Sequence, residues 1–273
     1  MENLVMRELI KKHIHGNIAR IGRSVDQLIQ YDKKMNVTDI NLLDGGFGSI
    51  EGLTLTKGCL HFMDSAGRKF RQEAKRFIYG QKVPLDRNTI ELDMHYAPTR
   101  SDLMGSFDSL LSSNVIEHSP NVIFLLLNFH LITKKNGWMY HAIPNYRFTY
   151  DKYREPTQFG HFLEDFESHM DFSDKSHNDD YTQSAIEKDG WQNGFHQKYP
   201  VAYPYMHFHV FDESNTKELF AYIFEDVHCE LIKSHQFSDN IIICSNVLNR
   251  SFKQKYGNLI DSVMASTYLI NKI

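Results

Sequence analysis

Cysteine is scarce in this chain. Cys59, Cys229 and Cys244 are the only three in 273 residues, and their spacing shows no pairs. An odd, sparse set excludes a disulfide framework and fits a reducing, cytoplasmic setting. Long apolar runs are missing too. The N-terminus has no signal-like apolar core, and no run approaches the roughly 20 residues that a membrane span needs. The expectation is a soluble protein with no membrane partner. An excess of either charge is also absent: 30 Lys and Arg face 34 Asp and Glu, a formal net charge of −4. That balance gives no general attraction to nucleic acid or to anionic lipid. What remains, 41% hydrophobic and 23% charged residues, is ordinary globular material, long enough for one large α/β domain with insertions.

Residues 1–31 read as helix, because Ile14, Ile18, Ile21, Val25 and Leu28 alternate steps of four and three. This reading makes residues 1–34 an N-terminal helical extension whose apolar seam packs on the domain or on a sister subunit, so a homodimer is an expectation. Residues 35–273 form the main domain. Its strand candidates are Val37–Leu43, Cys59–Met63, Thr89–Leu92, Phe107–Ser113 and Trp138–Ile143, with helical stretches such as Ala66–Phe77 between several of them. Pro120 is placed at the first position of an almost wholly apolar helix, Val122–Thr133, which Lys134, Lys135 and Gly137 close. Strand–helix–strand of this length is a right-handed crossover, and the alternation predicts a doubly wound, mostly parallel sheet.

Residues 155–205 read as an insertion after the fifth strand. Its part Glu164–Asp189 holds nine acidic residues against two lysines, either a solvated segment or a lid, and aromatic residues crowd Trp191–Tyr205. Met206–Phe211 reads as a strand with His207 and His209 on one face. Asn215 and Glu218 suggest a capping box opening a helix to about Phe224. Cys229–Phe237 and Ile241–Val247 read as a closing antiparallel hairpin turning at Ser238-Asp239-Asn240, followed by a helical tail.

In parallel sheets, ligands sit outside the carboxyl ends of the strands. Those ends carry Asn114–His118 and Asn145–Asp151. The turn Asp44-Gly45-Gly46-Phe47-Gly48-Ser49, read as following the first strand, lets backbone N–H groups approach a ligand. Asp64 after the second strand is placed for ribose hydroxyls and Asp93 after the third for an adenine amino group, although each also suits a turn or cap. Three such sites in chain order favour a nucleoside-type cofactor.

The segments LLDGGFG (Leu42–Gly48), FMD (Phe62–Asp64), SSNVIEHSPN (Ser112–Asn121), GWMYHAIPNYRFTYDKYREPT (Gly137–Thr157) and HFHVF (His207–Phe211) resemble the class I S-adenosylmethionine-dependent methyltransferases. The likeness is to a branch associated with bacterial surface-polysaccharide clusters, and it spans roughly Asp39 to Val247. It implies a seven-stranded Rossmann-like methyltransferase fold. It also implies Asp44, Gly46 and Gly48 along the methionyl part of S-adenosyl-L-methionine, Asp64 on the ribose, Asp93 and Met94 on the adenine, and Asn114 beside the sulfonium. His118 would stand at the mouth, with Tyr146, Arg147, Tyr150 and Asp151 lining the acceptor side and His207 and His209 closing it. The third glycine of the usual loop is replaced by Ile50, and only Glu51–Gly58 separates the loop from the next strand candidate.

On this reading the chain is a transferase that O-methylates a saccharide or a phosphorylated or nucleotide-linked precursor. His118 is the candidate general base, His207 or His209 the runner-up, and Arg147 a clamp for phosphate or carboxylate or else a partner of Asp151. His141 reads as a core histidine. The asparagine–proline–proline–tyrosine motif of DNA amino-methylating enzymes is absent, which argues against a nucleic-acid substrate. Two rivals stay open. One is an inactive relative that keeps the cofactor fold. The other is a metal-dependent enzyme using His207, His209 and a carboxylate such as Asp212, although the leading reading assigns no metal.

Overall fold

The computed structural model describes residues 4–22, 29, 34–42, 89–92, 101–171, 176–181, 207–233 and 238–270. Among the described residues seven strands form one sheet: β1 (Asn17–Gly22), β2 (Asn36–Leu42), β3 (Thr89–Leu92), β4 (Phe107–Ser113), β5 (Thr133–Pro144), β6 (His228–Lys233) and β7 (Ser238–Ser245). Their order across the sheet is β3-β2-β1-β4-β5-β7-β6. The first five pair in parallel, and β7 runs antiparallel between β5 and β6. The sheet is therefore mixed.

β1 corrects the helical reading of residues 1–31. The helix α1 stops at His13 (Leu4–His13), and β1 pairs with β2 on one side and β4 on the other. Spacings of three and four fit a helix, but they also distribute isoleucines over both faces of a buried strand. Ile18 packs with Met6, Ile10, Ile14 and Val37 on one side of the sheet, whereas Ala19 and Ile21 pack with Leu110, Ile123 and Phe129 on the other. A strand buried on both faces needs no alternation. Glycines punctuate it: Gly16 (φ +74) and Gly22 (φ +88) adopt left-handed backbone, and a Cβ on Gly22 would lie 2.1 Å from the Ser113 carbonyl oxygen. The seam that suggested a dimer is thus consumed, at Ile14, Ile18 and Ile21, by the chain's own core.

Because β1 comes first, the strand before the glycine-rich turn, β2, is the second strand and not the first. The strand candidate Cys59–Met63 and the helix candidate Ala66–Phe77 lie outside the described residues.

The crossover from β4 through α2 (Val122–Ile132) to β5 is present. Asn121, not Pro120, opens α2: its Oδ1 accepts from Phe124 N at 3.1 Å, so Pro120 precedes the cap. Gly137 lies inside β5 and does not stop the helix. A Cβ there would meet the Asp108 carbonyl oxygen at 2.6 Å, so glycine permits the close approach of β4 at its register shift. Ser238, Asp239 and Asn240 belong to β7, where they pair with β5 or β6. The helix α3 (Phe159–Glu167) buries Phe162 and Phe166 in the core beside α2, so this part of 155–205 is structural. A four-residue helix, α4, spans Asn178–Tyr181. The capping box of α5 (Glu213–Ile223) is formed by Asp212 and Asn215, since Asp212 accepts from Asn215 N at 2.8 Å; Asn215 is its third residue and not its cap. The tail is the helix α6 (Arg250–Ile270). Among the described residues no helix is long and apolar enough to cross a membrane.

His141 is a core histidine in β5. Its Nδ1 lies 2.8 Å from Ser112 Oγ, and its ring stands beside Phe129 and Phe220. Complete burial lowers its pKa to about 3. A histidine held neutral in the fold but protonated when unfolded contributes stability above pH ~6.5 that is lost as pH falls towards the folded pKa. Wild type should therefore lose about 2 kcal/mol relative to His141→Gln between pH 7 and pH 5, as read by urea unfolding at both pH values. A constant difference between the two proteins would contradict this assignment.

Candidate active site at the carboxyl ends of β4 and β5

β4 ends at Ser113, and Asn114 turns the chain with left-handed backbone (φ +52), its amide donating to the Ala142 carbonyl at 3.0 Å. Asparagine tolerates that conformation better than most residues. The following 3₁₀ turn, Ile116–His118, carries Glu117 inward and leaves the His118 side chain 29% exposed. β5 ends at Pro144. Asn145 then caps a second 3₁₀ turn, Tyr146–Phe148, by accepting from Arg147 N.

Residues 207–211 lie across these two ends without forming a strand. Main-chain bonds clamp the segment from three sides: Phe208 N donates to the Glu117 carbonyl (2.8 Å), Thr157 N to the Val210 carbonyl (2.9 Å) and Tyr146 N to the Phe211 carbonyl (2.9 Å). Thr157 Oγ1 also accepts from Val210 N. Released from strand alternation, His207 and His209 enter different clusters, contrary to the one-face reading.

His207 Nδ1 donates to Asp151 Oδ2 in a buried hydrogen bond. This fixes the tautomer, with Nε2 bearing the lone pair. Nε2 stands 4.0 Å from Glu117 Oε1, and the His118 ring meets the His207 ring edge-on at 4.8 Å. Tyr150 packs on the same ring at 4.5 Å. Burial opposes the charge on Asp151, but the bond from His207 and the Arg154 guanidinium outweigh it and hold the carboxyl below its ordinary range. Both carboxyl oxygens of Glu117 are buried without a hydrogen-bond partner, and desolvation raises its pKa well above the usual carboxylate value.

Arg154 is the residue that sequence reasoning missed. Only 3% exposed, it donates to Asp151 Oδ1 (2.8 Å), Asp180 Oδ2 (2.7 Å) and the carbonyls of His207 (2.7 Å) and Phe208 (3.2 Å). The pair of Arg147 with Asp151 is not formed: Arg147 is exposed, and its Nε donates to Tyr146 Oη at 3.3 Å. The i,i+3 spacing of Asp151 and Arg154 after β5 was the available signal.

His209 belongs elsewhere. It lies 2.7 Å from Asp165, in a group with His161 and His177. Asp212, the carboxylate considered as a metal ligand, is the α5 cap. The structure thus gathers His118, His207, Asp151 and Tyr150 at one site, with Asn114 at the neighbouring strand tip and Tyr146 and Arg147 along the rim. Asp44, Gly46, Gly48, Asp64, Asp93 and Met94 lie outside the described residues.

Arg154→Ala should destabilise the fold by about 3–5 kcal/mol, because it strands Asp151 in a buried position. Denaturant unfolding measures this, and a loss below 1 kcal/mol would show the network to be dispensable.

No family model and no curated protein matches this sequence. Solved structures with a similar course of chain include the CurJ carbon methyltransferase, at 11% identity over 89% of this chain and 52% of that one, TM-score 0.44. The trans-methyltransferase CalH, solved as a complex with SAH, is 14% identical over 88% and 54%, TM-score 0.42. An S-adenosylmethionine-dependent methyltransferase from Methanosarcina mazei is 9% identical over 88% and 98%, TM-score 0.42. The chain spans about half the length of the CurJ and CalH chains. Likeness at this distance says nothing of what this chain binds or does.

Proposed function

We propose that this chain is an S-adenosylmethionine-dependent O-methyltransferase. The observation that carries the reading is the carboxylate-oriented imidazole of His207, set beside the tip of β4 in a sheet ordered β3-β2-β1-β4-β5-β7-β6. The sequence resemblance calls for a seven-stranded sheet of this kind, with the donor at the carboxyl ends of its parallel strands. The local chemistry fits a cationic sulfonium: the Asp151 carboxyl is held below its ordinary range, and the charge of Arg154 is matched by Asp151 and Asp180.

When bound, the sulfonium supplies a methyl group already activated for displacement. The protein must align the acceptor and receive its proton. Alignment alone is worth about 7–11 kcal/mol of barrier. His207 Nε2 takes the proton from the acceptor hydroxyl while Asp151 holds the opposite nitrogen and stabilises the imidazolium that forms. His118, partly exposed at the mouth, meets the acceptor first; the leading candidate for the base on sequence grounds, it is the second candidate here. Tyr146 and Arg147, on the rim, suit a phosphorylated or nucleotide-linked saccharide, the acceptor class that the polysaccharide-branch resemblance implies. In this reading Asn114 lies beside the sulfonium. Asp44, Gly46, Gly48, Asp64, Asp93 and Met94 complete the cofactor site through the resemblance alone.

Calorimetry with S-adenosylmethionine and with S-adenosylhomocysteine tests the first step, and release of S-adenosylhomocysteine with saccharide acceptors tests the second. His207→Ala should leave cofactor affinity within about twofold and cut turnover by ~100-fold or more. Asp151→Asn should act in the same direction, with part of its effect through stability. Cofactor binding with no turnover on any acceptor would favour the inactive relative; no binding at all would end the methyltransferase reading.

A further inference from the structure

His161 and Asp165 lie one turn apart on α3, His177 precedes α4, and His209 lies in the clamped segment 207–211. Their rings converge, with centroids 5.0 Å apart for His161 and His177, 5.1 Å for His177 and His209, and 5.8 Å for His161 and His209. All three turn Nε2 towards one oxygen, Asp165 Oδ2, at 3.6, 3.7 and 2.7 Å respectively. One ligand atom from each of the four residues lies within 4.8 Å of the other three. Tetrahedral zinc, with bonds of about 2.0–2.1 Å, sets its ligand atoms about 3.4 Å apart, so side-chain adjustments of a few tenths of an ångström to about 1 Å close the set.

Two further observations point to an ion. His177 is buried, and its Nε2 has no hydrogen-bond partner. His209 faces two acceptors at once, the Ser119 carbonyl at Nδ1 (3.0 Å) and Asp165 Oδ2 at Nε2 (2.7 Å). A neutral imidazole has one N–H and satisfies only one of them. The imidazolium would satisfy both, but only by placing a charge on a wholly buried ring. A cation removes the conflict: Nδ1–H donates to Ser119 and Nε2 turns its lone pair on the metal, the arrangement in which ligating histidines are ordinarily held.

We propose that His161, Asp165, His177 and His209 form a closed structural site for one divalent transition ion, with zinc the best match to three imidazoles and one carboxylate. Four protein ligands leave no open position for chemistry. The ion ties α3 and the segment bearing His177 to residues 207–211 and, through His209, to Ser119, one residue beyond His118. It thereby fixes the floor beneath the candidate active site. The proposal stands whether or not the methyltransferase reading does.

The full chain, stripped with a chelator, is titrated with zinc chloride by calorimetry, and its metal is counted by mass spectrometry. One zinc per chain is expected, together with a higher melting temperature. Cobalt(II) in its place should give the strong visible bands of a tetrahedral site. His161 is 40% exposed in its side chain, so His161→Ala should keep its circular dichroism while zinc affinity falls at least ~10–100-fold. Glu117→Gln, in the neighbouring Glu117–His118–His207 group, should retain the metal. Three results would overturn the assignment: no zinc on the folded wild-type chain, cobalt bands of an octahedral ion, or metal lost from Glu117→Gln but kept by His161→Ala.

Discussion

A guanidinium withdrawn from water holds the candidate site together. Burying Arg154 carries a desolvation cost of several kcal/mol, which only well-aimed partners offset. It has four: the carboxylates of Asp151 and Asp180 and the carbonyls of His207 and Phe208. Those partners come from three stretches remote in sequence, the loop after β5, the helix α4 and the segment 207–211. Main-chain bonds clamp 207–211, and the ion network adds the side-chain tie that joins all three stretches and delivers Asp151 to the His207 ring. The position of that ring and the stability of the segments around it are therefore one problem with one solution.

Much of the frame was legible because it is local. β3 and β4 occupy the expected residues, and β2, α2 and β5 lie within or around the expected spans, since dense apolar runs bounded by polar turns have few alternatives. The N-terminus was misread because Ile14, Ile18 and Ile21 satisfy two periods. The deciding signals, Gly16 and Gly22, are single residues whose necessity appears only when Asp108 and Ser113 are seen pressed against them. That error also displaced the glycine-rich turn by one strand in the order. Pro120 and Gly137 failed for a related reason: each has a helix-boundary meaning and another one, and tertiary packing chose the other.

The site was legible in its residue types and less so in its pairings. His118, His207, Tyr150 and Asp151 meet as a group, but sequence could not tell that the partner of Asp151 is Arg154 and not Arg147. Nor does a count of acids in Glu164–Asp189 separate Asp165, 1% exposed and ringed by imidazoles, from its solvated neighbours. The i,i+4 step from His161 to Asp165 was the one local hint. Long-range partners 44 and 56 residues away, as for His209–Asp165 and His207–Asp151, leave no mark on spacing.

Glu117 shows why two histidines two positions apart serve different ends. Its carbonyl accepts from Phe208 N, the residue between them, and so sets the strand-less segment with one imidazole on each side. Its carboxyl, buried and pushed well above the usual carboxylate range by desolvation, lies on the His207 side. Burial thus opposes a charge on Glu117, whereas Asp151 accepts the hydrogen bond of that ring and is held below its ordinary range. On the other side the anion is Asp165, whose pKa is held far below its ordinary range because the bond from His209 and the other imidazoles around it outweigh its burial. One ring thus faces a carboxylate across a single hydrogen bond, a geometry for moving a proton. The other shares its carboxylate with two more imidazoles, a geometry for holding a cation still. The same backbone bond at Phe208 separates the two chemistries.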